Sequence, residues 1–590
     1  MKRLLCGLLL WLPHWLWAMP QLTLSVTLDP VSRRFSAQAT LYDAEGLQGF
    51  RLGPDFEIRA LKFDGQPAKS RRWKDGTARG ADWHAAPAGV KRIEIEYQAV
   101  LPPLARLDHR QVLNQRGAMA DPEGSFLPAS SGWYPDPGES FAYRVSLRLP
   151  AGQKGLTPGE LMAEEDTPAG YRAEFAFPHP AEALDLMAGP YRVDERRLAM
   201  NGRTIRVRTW FHEELAPLAP GYLDDSMRYL ARYAQLIGAY PFGIFSVVSS
   251  PTPTGYGMPT LAYLGRDVLK LPFIRATSLG HEVLHNWWGN GVYPDWRSGN
   301  WSEGLTTFLA DYAFQEDKGE EAAREMRIAW LRDYAALPPA EDFPLKDFTA
   351  RHHGIASIIG YNKAAMVFLM LRDRIGRAAF ERGLKRLWET KRFQTANWRD
   401  LAAAFSAASG QDLSAFFDRW VNQPGSPTFS DEELARDQDF RLWRRYPPEV
   451  FPPILREVFI APQAAVVITD ESLRATAAQL AARALDAPQP MLTTSLPAQR
   501  PALVIGRDAE IDAWLTQRGL ARPLPRRGTA QVWAARDGAG RALVIVAGRD
   551  DARLQDIARA LPHYGRQSWL VFEGARVIDK GVWPPRRDAQ

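Results

Sequence analysis

The segment 280–292 constrains this chain more than any other, because it contains the pattern H-E-x-x-H at 281–285. On a helix, residues four apart lie one turn above each other on the same face, so His281 and His285 can direct both imidazoles at one zinc ion. Catalytic zinc sites use three protein ligands and keep a fourth position for water. Glu282 stands beside His281 and can accept the proton of that water. The alternative is a hydrogen-bonded histidine pair on a half-buried helix.

The third zinc ligand has to come from another part of the chain, and Glu303 is the candidate. It lies in the stretch 300–305, at the start of the next helical segment. Asn300 as an N-cap with Glu303 three residues later also fits a capping box, so the residues alone leave both roles open. The histidines themselves are predicted to lie on a helix over 274–288, with Gly289 as its C-cap.

The first 18 residues have the pattern of a signal peptide. Lys2 and Arg3 form a basic start, 4–17 is an apolar run, and Ala18 is a small residue at a plausible cleavage position. We therefore expect an exported protein, in the periplasm of a bacterium, with an uncleaved membrane anchor as the alternative. The one cysteine, Cys6, lies inside this segment, so the mature chain is expected to form no disulfides.

Length and charge bound the remaining possibilities. A chain of 590 residues implies about three or four domains. Without Lys2 and Arg3 the basic residues number 71 against 68 acidic ones, and they are scattered, so we predict no nucleic-acid partner. No further stretch is expected to span a membrane, so no stable membrane insertion is expected once the leader is removed. The sequence does not define an oligomeric state.

The spacing of apolar residues divides the chain into regions of different character. Runs such as 22–28 alternate apolar with polar residues, which indicates an antiparallel sheet with one solvated face. Apolar residues recur at helical spacing from Glu303 to about 421, and short apolar strands then alternate with helical runs. The prediction is a multidomain α+β fold. Its parts are a signal peptide (1–18), a β-rich domain (19–205), a mostly helical catalytic domain (206–428), a linker (429–454) and a small α/β domain (455–590).

Two further positions outside the histidine motif are candidates for a site. The Gly-flanked strand 255–263 precedes the histidines, and it is either an edge that an extended peptide can join or an ordinary sheet edge with a turn. Tyr361 stands just before an amphipathic helix. A tyrosine there is either a core residue or a donor to a developing oxyanion.

These motifs resemble the gluzincin aminopeptidases, the family of membrane alanyl aminopeptidase and leukotriene hydrolase. The family pattern H-E-x-x-H-x-W-x-G-N-x-V is matched at 281–292, and most of Y-x-K-G at 361–364. The family's W-x-x-E-G corresponds to Trp301-Ser302-Glu303-Gly304, with one residue fewer between the tryptophan and the glutamate. The segment 416–425 is similar to the end of their catalytic unit. The resemblance covers about 205–428 well and implies a thermolysin-like catalytic domain there. The β-rich N-terminal part resembles their saddle-shaped domain only by its pattern of strands. Residues 455–590 do not resemble the family's usual C-terminal domains.

The resemblance implies a mechanism. One Zn²⁺ per chain would be held by His281, His285 and Glu303, and Glu282 would activate a zinc-bound water for attack on a peptide carbonyl. Tyr361 and the metal would stabilise the oxyanion. The expected function is therefore that of an exported zinc-dependent metallopeptidase, aminopeptidase-like in its action on peptides.

Three departures from the family pattern bear on that expectation. The interval from His285 to Glu303 is one residue shorter than usual, and Asn362 replaces a common acidic residue. In the family's G-x-M-E-N stretch Met258 keeps the methionine and Gly257 precedes it, and these two are the expected substrate-binding residues.

The third departure is that Pro259 and Thr260 occupy the places of Glu and Asn in that stretch. The glutamate helps to bind the substrate's free amino group, so its loss favours an alternative, a metallohydrolase or endopeptidase that acts on blocked peptides. Asp121 or Glu123 could supply the missing carboxylate. A second alternative is a non-catalytic binding or scaffold protein on the same fold.

Overall fold

A computed structural model describes residues 19–42, 46–69, 71–74, 81–105, 117–349, 354–425, 451–487 and 489–584. The predicted signal peptide at 1–18 lies outside these ranges, as does the predicted linker up to residue 450. Two compact units are distinguished, the first formed by residues up to 293 with 387–395 and the second by 294–386 with 396 onward.

The first unit begins with sheets built from alternating strands, as predicted. In the first strand Leu22, Leu24, Val26 and Leu28 are at most 1% exposed, while the residues between them face outward. From one edge to the other, the eight strands of the main sheet are Glu160–Thr167, Gly170–Ala181, Phe141–Leu149, Gln21–Asp29, Arg34–Tyr42, Arg92–Val100, Glu57–Phe63 and Gln66–Pro67. Two three-stranded sheets accompany it, Lys154–Leu156 with Leu186–Gly189 and Ser125–Leu127, and Gly49–Leu52 with Asp82–Ala85 and Arg71–Lys74.

A five-stranded sheet follows in the same unit and leads to the histidine motif. Its order is Arg192–Met200, Arg203–Phe211, Ile244–Ser250, Leu261–Gly265 and Gly255–Met258. The helix Ala219–Leu236 connects two parallel strands of this sheet, and three short helices follow it, Arg266–Leu269, Pro272–Ala276 and Ser278–Leu284. Gly255–Met258 is the edge strand and pairs antiparallel with its neighbour, and among the described residues no strand pairs with its other side.

The described part of the chain between residues 302 and 421 is mainly helical, as predicted. Its helices are Ser302–Thr306, Thr307–Tyr312, Ala313–Lys318, Glu320–Ala335, Ile355–Ser357, Ile358–Lys363, Ala364–Ile375, Arg377–Lys391, Trp398–Ser409 and Ser414–Val421. Two of them, Thr307–Tyr312 and Ile358–Lys363, are π-helical turns inside longer helices. The stretch 355–375 is long and apolar enough to cross a membrane, contrary to the sequence expectation, but 78% of its apolar window is buried inside the protein. It is therefore a core helix.

The C-terminal part forms an α/β domain, which confirms the predicted fold class. Its sheet has the order Leu492–Thr493, Ala465–Ile468, Ala502–Arg507, Ala542–Gly548, Ala530–Arg536, Trp569–Glu573 and Arg576–Gly581. The first four strands are parallel and the last three join in antiparallel fashion. The helices are Arg456–Phe459, Arg474–Ala484, Asp508–Thr516 and Asp551–Ile557. Buried apolar clusters on both faces of the sheet form the core of this domain.

Candidate metal centre

The two histidines lie on a shorter helix than the sequence predicted. The helix runs from Ser278 to Leu284, and a break at Thr277 (φ −136°, ψ −73°) separates it from Pro272–Ala276. His285 is the C-cap residue, yet its backbone N–H still donates to the carbonyl of His281 at 3.2 Å. His281 and His285 are therefore still one helical turn apart, and their imidazole centroids are separated by 4.8 Å. The predicted extent, 274–288 with Gly289 as C-cap, was wrong because the chain turns after His285 instead of continuing as a helix.

Three side chains of the H-E-x-x-H and W-x-x-E-G motifs meet at one point. The ligand atoms offered by His281, His285 and Glu303 lie within 4.8 Å of one another, and within the described ranges this is the one group of its kind. Two imidazoles and one carboxylate are a donor set of catalytic zinc sites, so these residues fit the metal that the sequence predicted. The hydrogen bonding of His285 agrees, since its Nδ1 lies 2.9 Å from the carbonyl oxygen of Trp288. Donation to that carbonyl fixes the tautomer that keeps the lone pair on Nε2.

Glu303 opens a helix, but the capping box considered from the sequence is not formed. The helix begins at Ser302, and the side-chain oxygen of Asn300 accepts hydrogen bonds from the backbone N–H and the hydroxyl of Ser302. The helix itself has no side-chain cap. Capping therefore does not account for Glu303, whose carboxylate lies with the two histidines.

Glu282 lies against the edge strand Gly255–Met258. A Cβ atom placed on Gly257 would be 2.4 Å from Oε2 of Glu282 and 3.3 Å from Cδ2 of His285. Only a glycine lets the backbone of this strand approach the carboxylate so closely. The open side of a sheet edge is thus next to the proposed base, while Met258 is buried at the end of the same strand.

Asn286 joins the histidine helix to the turn that follows the edge strand, and sequence reasoning did not single it out. It is fully buried, and its side-chain oxygen accepts a hydrogen bond from the backbone N–H of Thr260 at 2.8 Å. Its amide nitrogen donates to the carbonyl of Val283 at 3.0 Å. The position of the edge strand is in this way tied to the residue after His285. The sequence signal that could have identified Asn286 is the presence of one amide side chain among the mainly apolar residues 283–288.

Thr260 shows why the replacement in the G-x-M-E-N stretch has a structural role. Its φ of 67° lies in the left-handed region, which a β-branched residue rarely adopts. Its hydroxyl bonds to the backbone of Gly159, at 2.9 Å from the N–H and 3.4 Å from the carbonyl oxygen. Thr260 therefore fastens the edge strand to the β-rich region instead of facing a ligand.

Tyr361 lies in the π-helical turn Ile358–Lys363 and is half-buried, with its ring 6.0 Å from that of Phe348. π-turns inside α-helices occur frequently at functional sites. Asn362 and Lys363, the next two residues, are both buried. Tyrosine in this setting can donate its hydroxyl proton to an anionic oxygen.

The two candidate carboxylates of the β-rich region occupy different environments. Glu123 forms an ion pair with Arg266 at 2.9 Å, and its backbone carbonyl lies 2.6 Å from Nε2 of His212. Asp121 accepts the backbone N–H of Glu123 at 2.9 Å and lies in the turn before Phe126. The ring of Phe126 stacks 6.1 Å from that of Tyr256 on the edge strand, so this turn reaches the neighbourhood of that strand.

Comparison with known proteins shows what the segment around the two histidines is similar to. Residues 275–420 match the family model for the peptidase family M1 domain. This segment is similar to peptidase family M1 domains. It contains both histidines, Glu303 and Tyr361, and the match agrees with the resemblance drawn from the motifs.

The curated relatives are similar to this chain over part of their length. Aminopeptidase N of Escherichia coli is 27% identical over 293 residues, which are 45% of this chain and 33% of that protein. Aminopeptidase N of Caulobacter vibrioides is 25% identical over 313 residues, 50% of this chain and 35% of that protein. The chain thus spans about a third of the length of these curated relatives.

A solved structure supports the fold over a larger share of the chain. The M1 zinc metallopeptidase of Deinococcus radiodurans is 19% identical with a TM-score of 0.56, and the match covers 70% of this chain and 94% of that one. A variant of that protein was solved with a Tyr-Ser-Ala substrate. At this identity the likeness shows the fold alone.

Proposed function

We propose that this protein is a zinc-dependent metallopeptidase that hydrolyses peptide bonds, with one zinc ion per chain. The observation that supports it best is the meeting of His281, His285 and Glu303 with Glu282 one residue from the first ligand. A binding or scaffold protein would need no such base, so the complete set favours an enzyme.

The proposed chemistry divides the work among the residues of the site. His281, His285 and Glu303 would hold zinc, which supplies Lewis-acid polarisation of a water molecule and of the scissile carbonyl. Glu282 takes the proton of the attacking water and passes it to the leaving nitrogen. Tyr361 donates a hydrogen bond to the oxygen on which negative charge develops. Gly257 has no Cβ atom and so leaves room for the Glu282 carboxylate.

The edge strand supplies the proposed binding mode for the peptide. Its outer side offers backbone N–H and carbonyl groups directly beside Glu282, and an extended chain can pair with them. Met258 and Gly257 remain the expected substrate-binding residues. This mode depends on main-chain atoms, so it does not require a particular side chain in the substrate.

A free amino terminus needs a carboxylate partner, because an ammonium group is costly to bury unpaired. Of the two candidates, Asp121 suits this role better, because Glu123 is already committed to Arg266. The proposal is therefore an aminopeptidase in which Asp121 replaces the glutamate absent at position 259. An endopeptidase acting on blocked peptides remains the second candidate, and the presence of Pro259 favours it.

Matched peptides with free and with acetylated N-termini separate the two candidates. Cleavage sites are mapped by mass spectrometry, with Glu282→Gln as the blank. Loss of single residues from the free peptides only supports the aminopeptidase, and Asp121→Asn should then raise KM for those peptides. Equal cleavage of both sets supports the endopeptidase. A zinc-loaded wild type that cleaves nothing in a broad peptide library contradicts both.

Metal content tests the zinc site independently of activity. We expect the wild type to retain about one zinc per chain after dialysis and Glu303→Ala to retain far less, because two ligands bind weakly. Glu282→Gln serves as the control, since it removes the base but no proposed ligand. Equal zinc in wild type and Glu303→Ala would remove Glu303 from the ligand set.

Export remains a separate proposal that rests on the pattern of residues 1–18. Expression of the full chain, followed by cell fractionation and N-terminal sequencing, tests it. A periplasmic product that begins after Ala18 supports export, while a membrane-bound product that keeps Met1 supports the uncleaved anchor.

A further inference from the structure

A fully buried carboxylate lies outside the zinc motifs, on the helix Glu320–Ala335. Asp333 is 0% exposed, and three groups converge on its Oδ2 atom. Asn362 donates from Nδ2 at 3.0 Å, Arg456 lies at 2.8 Å through Nη1, and Arg566 donates from Nε at 2.7 Å. An unpaired carboxylate would be very costly at this depth, so these partners are what make its burial tolerable.

The partners of Asp333 come from two different parts of the chain. Asn362 directly follows Tyr361 in the π-helical turn of the mainly helical region. The two arginines belong to the C-terminal α/β domain, where the backbone N–H of Arg456 donates to the carbonyl of Gly565 at 2.8 Å. That bond holds the two arginine segments side by side, so both guanidinium groups are presented together.

The identity of residue 362 fits this arrangement. The gluzincin pattern commonly has an acidic residue after the tyrosine, whereas this chain has Asn362. A carboxylate in its place would face the carboxylate of Asp333 at about the present 3.0 Å, and the two charges would repel. An amide instead donates a hydrogen bond to Asp333.

The next residue of the turn is anchored separately. Lys363 is buried and its Nζ lies 3.7 Å from Oδ1 of Asp342. Asp342 also accepts hydrogen bonds from the hydroxyl of Tyr334 and the backbone N–H of Gly425. This second anchor uses no residue of the C-terminal domain. Asn362 is therefore the point at which the Tyr361 turn meets the arginines through Asp333.

We propose that Asp333 is a positioning residue for Tyr361. It holds the tyrosine-bearing turn through Asn362, and the C-terminal domain makes this possible by supplying Arg456 and Arg566. The proposal rests on the proposed function, because it takes Tyr361 as the donor to the developing oxyanion. It assigns the α/β domain a part in catalysis although none of its residues needs to touch the substrate.

A charge exchange at the Asn362–Asp333 contact tests the first half of the proposal. Asn362→Asp should lower kcat about tenfold or more, with KM changed by less than about twofold, because the lost interaction positions a group that acts in the transition state. Adding Asp333→Asn to that variant restores one amide and one carboxylate at the same distance, and kcat should recover to within about threefold of the wild type. Normal kcat in Asn362→Asp, or a double variant no better than the single one, would overturn the proposal.

Removal of the arginines tests the contribution of the C-terminal domain. Arg456→Gln with Arg566→Gln should lower kcat by a similar factor and leave KM nearly unchanged. The matched control is Arg536→Gln, which breaks another ion pair of the same domain, the 2.7 Å contact between Arg536 and Glu457. Equal kcat in the arginine double variant and the control would show that the domain does not act on Tyr361.

Hydrogen exchange tests the positioning role of Asp333 without relying on peptidase activity. The backbone amides of 358–363 should exchange faster in the arginine double variant than in the wild type and in Arg536→Gln. If the wild type hydrolyses no peptide but this difference is found, the proposed function fails while the positioning contact stands. Unchanged exchange together with unchanged kcat overturns the positioning role.

Discussion

At Gly257, the addition of a single methyl group is expected to disturb Glu282, the proposed base. Gly257→Ala adds a Cβ atom 2.4 Å from Oε2 of Glu282, so the carboxylate has to move away. We expect kcat/KM for peptide hydrolysis to fall about 100-fold, since displacements of about 1 Å cost that much in well-oriented sites. Zinc content should stay unchanged, because Gly257 is not a proposed ligand. Steady-state kinetics and metal analysis measure the two quantities.

The edge strand offers a control two residues away. Gly255→Ala places its Cβ 3.6 Å from Cδ2 of Leu264, which is an ordinary van der Waals contact. This variant should keep kcat/KM near the wild-type value. A comparable loss in both variants would mean that the strand, and not the space beside Glu282, is sensitive to substitution.

Thr260 is strained in its backbone and bonded through its hydroxyl, and the two effects can be separated. Thr260→Val keeps the β-branched shape at φ 67° but loses both hydrogen bonds to Gly159. We expect the free energy of unfolding to fall by about 1–3 kcal/mol, because two buried backbone groups lose their partner. Urea denaturation measures it. Thr260→Ser keeps the hydroxyl and should lie close to the wild type, so equal losses in both variants would count against this role.

Single residues were predictable from the sequence where chemistry requires a fixed spacing. The proximity of His281 and His285 follows from the one-turn repeat of a helix. Asn286 and Asp333 were not singled out, because their partners Thr260 and Arg566 are distant in sequence and only the folded chain brings them together. Buried polar side chains of this kind carry no local pattern.

At the scale of elements, the helix of Glu303 packs closely against the helix that follows Tyr361. A Cβ atom on Gly304 would be 2.2 Å from the Cβ of Ala364. Gly304→Ala should therefore force the helices apart and lower the free energy of unfolding by about 1–3 kcal/mol. Thermal or urea unfolding measures the change.

A second-site exchange gives the control for that contact. Ala364→Gly should recover part of the stability when combined with Gly304→Ala, because it returns the missing space to the other helix. On its own, Ala364→Gly should cost about 1 kcal/mol through lower helix propensity. Additive losses in the double variant would show that the two positions do not limit the helix separation.

The type of each element was more predictable than its internal geometry. Alternation predicted the strand Gln21–Asp29 and helical spacing predicted the helices after Glu303. The break at Thr277 and the π-turns at 307–312 and 358–363 were not predicted. These irregularities arise where packing or hydrogen bonding overrides the regular repeat, so apolar periodicity does not record them.

At the scale of the whole molecule, two half-buried groups of the β-rich region shape the dependence of stability on pH. Burial raises the pKa of Asp185 to about 6, against a partial offset from the N–H of Ala129. Burial, with a smaller effect of Arg392, lowers the pKa of His179 to about 4. Asp185 therefore contributes stability at low pH that is lost as pH rises through about 6, while His179 contributes stability at neutral pH that is lost as pH falls towards 4.

Asp185→Asn isolates the first of these contributions. The variant keeps an oxygen for the Ala129 N–H but has no carboxyl to ionise. Relative to the wild type, its free energy of unfolding should rise by about 1–3 kcal/mol between pH 4 and pH 8. Urea unfolding at both pH values measures this difference. Glu139→Gln, a substitution at an exposed carboxylate, is the control. A difference that does not change with pH would contradict the assignment.

The fold class, with β-rich, helical and α/β regions, was predictable from the sequence and is confirmed. The proposed role of the C-terminal domain was not predictable from the sequence. Its two contacts with Asp333 come from arginines, and in the sequence these arginines resemble solvated surface residues. Such residues reveal a role only when a buried carboxylate is found opposite them.

The two π-turns have a consequence for how this chain can change over generations. A π-turn holds one residue more than the α-helical turn it replaces, and loss of that residue rotates everything beyond it by about 100°. In 302–318 such a deletion would turn Phe314 and its neighbours away from the face they now cover. In 355–375 it would rotate Tyr361 and Asn362 relative to the helix that follows them. These helices can therefore tolerate substitutions, but they cannot lose even one residue without rotating the side chains that follow.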